Sequence, residues 1–209
     1  MTARDEILAR LHKQKRDVTP PPVWLSRRDF DDLANQFEKA LTAAKGEVLR
    51  AADLEEALDH VTAVLLEIGA ETAVADNTPP LGSLDPARLW PNISWHAVGQ
   101  SKGDLRAFSA TADIGLSGAD AALAETGTVV VSSGQGRSRL TSLLPPVHLA
   151  LVPTTSLTTD IFTWTAARQG QLQASMTLIS GPSKTADIEQ TMAVGVHGPK
   201  RFIVVLYDG

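Results

Sequence analysis

The chain has 209 residues, of which 43% are hydrophobic and 21% charged, with a formal net charge of -5. That is enough for one well-buried domain of ordinary soluble composition, and a second full domain would be a stretch. The complete lack of cysteine excludes disulfides, thiol nucleophiles, thiolate-ligated zinc and Cys-ligated iron–sulfur clusters in this chain. The acidic balance gives no electrostatic reason to expect nucleic acid.

Residues Thr2 to Lys15 read as a short helix with Ile7, Leu8 and Leu11 on one side and charge elsewhere. The run Thr19-Pro20-Pro21-Pro22 ends it and makes a stiff, extended linker. Residues 1–25 are therefore expected to be an N-terminal helix with a Pro-rich linker, docked loosely or used in homo-oligomer contact. Residues 26–209 are expected to form the α/β domain. No apolar run approaches the roughly 20 residues needed to span a bilayer, so no membrane insertion is expected. The charged N-terminus is unlike a signal peptide, and a cytoplasmic protein is the expectation.

A second helix is predicted from a Ser26 cap to Lys45, with Phe30, Leu33, Phe37 and Leu41 at helical spacing and Gly46 as its stop. Beyond it strands and helices alternate. Strands are predicted at Glu47 to Leu49, Thr72 to Ala75, Ile93 to Val98, Asp113 to Ser117, Gly127 to Ser132, Leu149 to Val152, Thr177 to Ser180 and Phe202 to Tyr207. Helices are predicted from Asp53 through Leu66, briefly within Leu84 to Trp90, and over Leu157 to Gln169. The alternation predicts an α/β sandwich with a largely parallel or mixed sheet.

The densest polar cluster runs from Ala124 to Pro146. Glu125-Thr126-Gly127 precedes the β-prone Thr128 to Val131, and reads either as a structural carboxylate at a strand entrance or as a catalytic one. Gly134-Gln135-Gly136-Arg137 reads either as a hairpin loop or as a loop presenting a planar cation to a carboxylate or phosphate. It is neither a dinucleotide fingerprint nor a P-loop, since the third glycine of the former is missing and Ser183-Lys184-Thr185 lacks the glycine before lysine. His148 opens an apolar strand and reads first as a buried structural histidine.

Further on, an apolar run feeds Ser180-Gly181-Pro182-Ser183-Lys184-Thr185-Ala186-Asp187, and Gly195-Val196-His197-Gly198-Pro199 follows. The first segment reads as a strand-to-helix turn with hydroxyls and free backbone N–H groups, a ready anion site. Flanking glycines open access to His197, which reads as a ligand-site residue or a turn filler. The remaining histidines show no ligand spacing, so no metal site is expected.

These blocks carry a resemblance. Ala124-Glu-Thr-Gly-Thr-Val-Val, Gly136-Arg137, Ser142-Leu-Leu-Pro-Pro-Val-His148, Ile179 through Glu189 and Gly195 through Pro199 together resemble the LUD-domain family, of the lactate utilization protein C type. The resemblance covers the last half of the chain. It implies the three-layer α/β/α sandwich shared with ribose-5-phosphate isomerase, glucosamine-6-phosphate deaminase and coenzyme A transferases, preceded here by the N-terminal helical extension. It also implies membership of a three-component system oxidising L-lactate to pyruvate, with iron–sulfur clusters in partner subunits and no cofactor in this chain.

Two roles are open on this basis. One is a subunit that binds a small carboxylate or a partner surface, with Thr126, Gly127, Gly134, Gly136, Arg137, Gly181, Ser183, Thr185, Asp187, His197 and Gly198 as candidate ligand-binding residues. The other is an independent enzyme, coenzyme A transferase-like or another acyl- or phosphate-ligand enzyme of that fold, with Glu125 as candidate nucleophile. Glu125 and His197 are the catalytic candidates.

Overall fold

A computed structural model describes residues 2–14, 24–168, 173–186, 192–194 and 197–209. In chain order the elements are α1 (Ala3–Gln14), α2 (Leu33–Ala43), β1 (Glu47–Ala51), α3 (Leu54–Glu67), β2 (Thr72–Ala75), α4 (Pro86–Leu89), β3 (Ser94–Ala97), α5 (Leu105–Thr111), β4 (Ile114–Ser117), β5 (Ala121–Leu123) and β6 (Thr128–Ser132). Then follow α6 (Arg139–Leu143), β7 (Val147–Pro153), β8 (Leu157–Thr158), α7 (Ile161–Ala167), β9 (Met176–Ile179), β10 (Lys184–Ala186), β11 (Met192–Val194) and β12 (Arg201–Tyr207).

Six strands form an all-parallel sheet in the order β1-β12-β7-β4-β2-β3. A parallel sheet is covered on both faces, so its central strands must be apolar throughout. The runs Val147 to Val152 and Phe202 to Leu206 meet that demand, and alternate residues enter opposite cores. Ile114, Leu116, Leu149, Leu151, Ile203 and Val205 pack against α3 on one face. Ala150, Val152, Phe202, Val204 and Leu206 face Phe37 and Leu41 of α2 on the other.

That second face carries more than helices. A four-stranded mixed sheet, β8-β5-β6-β9, stacks there through Ala122 and Val129, and Trp164 of α7 packs against its Ala121, Leu123 and Val130. Beside it, α5 covers Val74 of β2 and α6 lies on β4. The sandwich foreseen from the sequence is present, with a second sheet inside its outer layer.

Several boundaries differ from the sequence expectation. Asp32, not Ser26, caps α2, its Oδ1 accepting from Asn35 N at 2.9 Å. Ser26 Oγ instead accepts from Arg28 N at 3.2 Å, a local turn that competes with helix. Asp160 starts α7 at Ile161, and Leu157–Thr158 is a strand paired with β5, so the helix expected from Leu157 is shorter at its start. Lys184–Ala186 pair with Met192–Val194 as an antiparallel hairpin, so the helix start expected after Gly181-Pro182 is replaced by a strand there. Hydroxyls at cap spacing mark a helix only when the following backbone bonds to itself, and here it bonds across the hairpin.

One ionic clamp ties the sheet edge together. Arg201 Nε and Nη2 donate to the two carboxylate oxygens of Glu47 at 2.6 and 2.7 Å, and Nη1 donates to Glu67 at 2.9 Å. These bonds hold the guanidinium more firmly charged than usual and join β12, β1 and α3.

Candidate functional site

Sheet order sets where a ligand can sit. From β2 the chain moves outward to β3, then returns past β2 to β4 and continues inward to β7 and β12. The connections after β2 and β4 therefore leave in opposite directions, and the crevice outside the carboxyl ends of such a strand pair is the general ligand position of open parallel sheets. Two polar residues mark that crevice: Asp76, directly after β2, and Ser117, the last residue of β4. Both are buried.

Asp76 Oδ1 accepts from Ser138 N at 3.2 Å and from Thr141 Oγ1 at 2.9 Å. Burial pushes its carboxyl up to about 6, against the pull of those two hydrogen bonds and of the Arg137 charge. A carboxyl in that range exchanges a proton near neutral pH, the property a general acid or base needs. Asp76, Ser117, Ser132, Ser138, Arg139 and Ser142 line a narrow cleft there.

On one side the cleft opens to a depression lined by Thr78, Asp120, Ser132, Gly134, Arg137 and Gln173, among others. Its wall is the Gly134–Arg137 hairpin, closed by Gly134 N to Arg137 O at 3.3 Å and Arg137 N to Gly134 O at 3.1 Å. Gly136 has a positive φ of 72°, and its carbonyl accepts from Asn77 N at 2.7 Å, docking the turn on the end of β2. The loop is a hairpin, as one of its two sequence readings had it. Arg137 Nη1 pairs with Asp120 and donates to Ser132 Oγ at 3.1 Å, while Nε donates to Thr78 Oγ1 at 3.1 Å. Its Nη2 has no protein partner among the described residues and is the edge through which an anion can be met.

On the other side lies a cavity of about 240 Å³. Gly181, Ser183, His197 and Gly198 all line it, together with Ser142, His148, Ser180 and Phe202. Ser183 N donates to Pro199 O at 2.9 Å, which ties the two glycine-bearing turns to each other. The structure therefore brings Gly181, Ser183, His197 and Gly198 into one cavity and Gly134 with Arg137 into another. The Asp76 cleft lies between them, sharing Ser142 with the first and Ser132 with the second. His148 is fully buried, and burial pushes its imidazole down to about 3, so the ring stays neutral.

The remaining candidates fall elsewhere. Glu125, Thr126 and Gly127 form the turn between β5 and β6, and Gly127 presses on α2, where an added Cβ would meet Leu41 N at 2.2 Å. Glu125 pairs with Arg28. Thr126 Oγ1 shares a 2.6 Å hydrogen bond with Thr128 Oγ1, which shares another of 2.6 Å with Ser180 Oγ. That hydroxyl chain is the turn's link to the His148 cavity. Thr185 lies in β10, and Asp187 lies outside the described residues. Asp76, Ser117, Asp120 and Thr141 were not singled out from the sequence. Their signal was a lone polar residue following a buried strand or sitting in a small-residue stretch. Among the described residues there is no group of three or more His, Asp or Glu placed to hold a metal ion, and no helix long and apolar enough to cross a membrane.

Comparison with known proteins agrees with this architecture. The family model described as LUD domain matches residues 34–207. Lactate utilization protein C of Halalkalibacterium halodurans is 33% identical, covering 90% of this chain and 86% of that protein. Lactate utilization protein C of Exiguobacterium sp. is 34% identical over 99% of this chain and 96% of its own. The crystal structure of a DUF162 family protein from Deinococcus radiodurans has the same fold, with a TM-score of 0.56 at 20% identity, covering 88% of this chain and 99% of that one.

Proposed function

Because the chain belongs to the LUD domain family, we propose that it is the cluster-free subunit of a lactate-utilization system that oxidises L-lactate to pyruvate. Relatives named lactate utilization protein C, similar over most of both chains, support involvement in lactate utilization. The finer reading adds that this chain binds a small 2-hydroxy or 2-oxo carboxylate at the carboxyl ends of β2 and β4. Iron–sulfur clusters would belong to partner subunits, since this chain has no cysteine to ligate one. A cytoplasmic location and contact between copies through the N-terminal helix are part of the same proposal.

The observation that carries the binding claim is the nearness of Arg137, in the depression beside the Asp76 cleft, to Asp76, whose carboxyl feels the Arg137 charge. An Arg edge attracts a carboxylate, and a carboxyl poised near 6 can accept the proton of a neighbouring hydroxyl. Arg137 and Asp76 would thus orient the substrate and manage its proton, while the electrons leave to the partners.

The test is twofold. Calorimetry should detect L-lactate or pyruvate binding to the wild-type chain, lost in Arg137→Ala. The tagged chain should co-purify with iron–sulfur proteins from cells growing on lactate. A partner-free protein that binds neither acid would overturn the reading.

A further inference from the structure

Two apolar surfaces of the described chain stand exposed to water. One is a groove of about 240 Å³ on the outer side of α3, lined by Thr62, Leu65, Leu66, Leu89, Trp90 and Ile93 among others. Leu66 is 77% exposed at its lip, and Leu89 is exposed as well. Trp90 Nε1 donates to Thr62 Oγ1 at 2.8 Å, and its ring packs on Trp95 with centroids 5.4 Å apart, so the floor is already formed. The other surface is α1, whose residues are exposed from Ala3 to Lys13, Ile7, Leu8 and Leu11 included. A helix of 12 residues is marginal by itself in water, so α1 needs a surface to lie on.

The two surfaces match in spacing and in charge. On α3, Asp59, Thr62 and Leu66 stand at i, i+3 and i+7, one line along the helix that ends at the groove. On α1, Arg4, Ile7 and Leu11 stand at the same spacing. Laid parallel to α3, α1 sets Leu11 on Leu66, Ile7 over Thr62 and Arg4 beside Asp59, with Leu8 entering the groove. That is the alternating three- and four-residue pattern by which two helices mesh. Arg4 and Asp59 enter none of the ion pairs among the described residues. Glu55, one turn before Asp59 and also exposed, extends the acidic strip.

We propose that α1 of one copy docks in the α3 groove of a second copy, and that the exchange is reciprocal and gives a two-fold dimer. This rests on the proposed contact between copies through the N-terminal helix, and names the surface that the helix meets. The reach of the chain decides against α1 closing on its own groove. Nine residues separate Gln14 from Trp24, and that connection spans at most roughly 35 Å. Trp24 packs on Phe162 of α7 with ring centroids 4.4 Å apart, and α7 covers the outer face of the small sheet. Between α7 and the groove lie the small sheet, the central sheet and α3, a depth of about 30 Å at roughly 10 Å per layer. The connection cannot run through those layers, and the way round their edge exceeds its reach.

The experiment uses the full chain and exploits its lack of cysteine. Sedimentation at about 100 μM reads the oligomer, since that concentration reveals micromolar contacts. A dimer is expected for the wild type, and a monomer for Leu8→Asp and for Leu66→Lys, both exposed positions whose change leaves the domain folded. Arg4→Asp and Asp59→Arg should each weaken dimerisation about threefold, and together restore it. Mixing chains carrying Leu11→Cys with chains carrying Leu66→Cys under oxidation should give a disulfide-linked pair. That pair should form about tenfold faster than one from Lys13→Cys and Leu66→Cys, because Lys13 lies on the opposite side of α1. A wild-type monomer overturns both the N-terminal contact and this docking. A dimer that dissociates with Leu8→Asp but survives Leu66→Lys keeps the contact and overturns the groove. Equal crosslinking from positions 11 and 13 defeats the docking as well. A chain carrying both Leu11→Cys and Leu66→Cys that closes within itself returns α1 to its own groove and ends the exchange between copies.

Discussion

The carbonyl oxygen of Thr141 lies so close over Gly115 that a Cβ built on the glycine would meet it at 1.8 Å. This contact seats α6 directly on β4 and places Thr141 and Ser138 where they can hold Asp76. Gly115→Ala should therefore lift α6 off the sheet. We expect a loss of about 1–3 kcal/mol in urea unfolding, the range for overpacked sites, with the raised Asp76 carboxyl returning toward ordinary values. An unfolding midpoint equal to that of the wild type would show that α6 is not seated by this contact.

Asp76 should give the protein a distinctive pH dependence. Its folded carboxyl is pushed up to about 6 from the ordinary 3.8, so between those values the folded state holds the proton more tightly than the unfolded chain. Stability contributed by this group is fully present below about 4 and is lost as pH rises through about 6. Two pH units correspond to up to about 3 kcal/mol. Asp76→Asn keeps an oxygen to accept from Ser138 and Thr141 and cannot ionise. The wild-type-minus-variant difference in unfolding free energy should grow more negative from pH 4 to pH 7 and then level. A flat difference would mean that Asp76 is ordinary.

How much of this was legible in the sequence follows from what each element demands. Strands β7 and β12 were visible because central parallel strands are unbroken apolar runs, and Asp53 marked the start of α3; α2 ends at Ala43, where Lys45 rather than Gly46 takes the positive φ of 71°. By contrast α5 is short, with exposed Ala107 and Ala110, and β5 is built from the small Ala121 and Ala122, whose burial comes entirely from neighbours. The turns carrying Gly181 and His197 were recognisable from their glycines and prolines. Asp76 and Ser117 were not, because a lone polar residue after a strand acquires meaning only from sheet order. That order is set by pairings such as Ala75 with Leu116, 41 positions apart in the chain.

Arg137 is more than a turn residue. It clasps Asp120 Oδ1, Ser132 and Thr78, and Asp120 Oδ2 is buried without a hydrogen-bond partner among the described residues. Arg137→Ala should thus cost stability as well as growth on lactate, since it leaves a half-buried carboxylate uncompensated. With both side chains partly exposed, we expect about 1–2 kcal/mol of coupling in a double-mutant cycle with Asp120→Asn, above an exposed pair. Additive single effects would reduce the clasp to a surface contact.

Glu125 and Gly127 separate the two enzymatic possibilities by opposite responses. Gly127 sits at φ 60° against Leu41 of α2, so Gly127→Ala should destabilise the domain by at least about 1 kcal/mol through strain and contact. Glu125 is only partly buried and pairs with the exposed Arg28, so Glu125→Gln should cost under about 1 kcal/mol. If this turn is a structural buttress, Glu125→Gln supports growth on lactate and wild-type Glu125 stays unmodified after incubation with an acyl-coenzyme A. A transferase would instead show the thioester on the Glu125 peptide in mass spectrometry and lose all turnover on the same substitution. The carboxylate lines none of the three cavities described above, so we expect the first outcome.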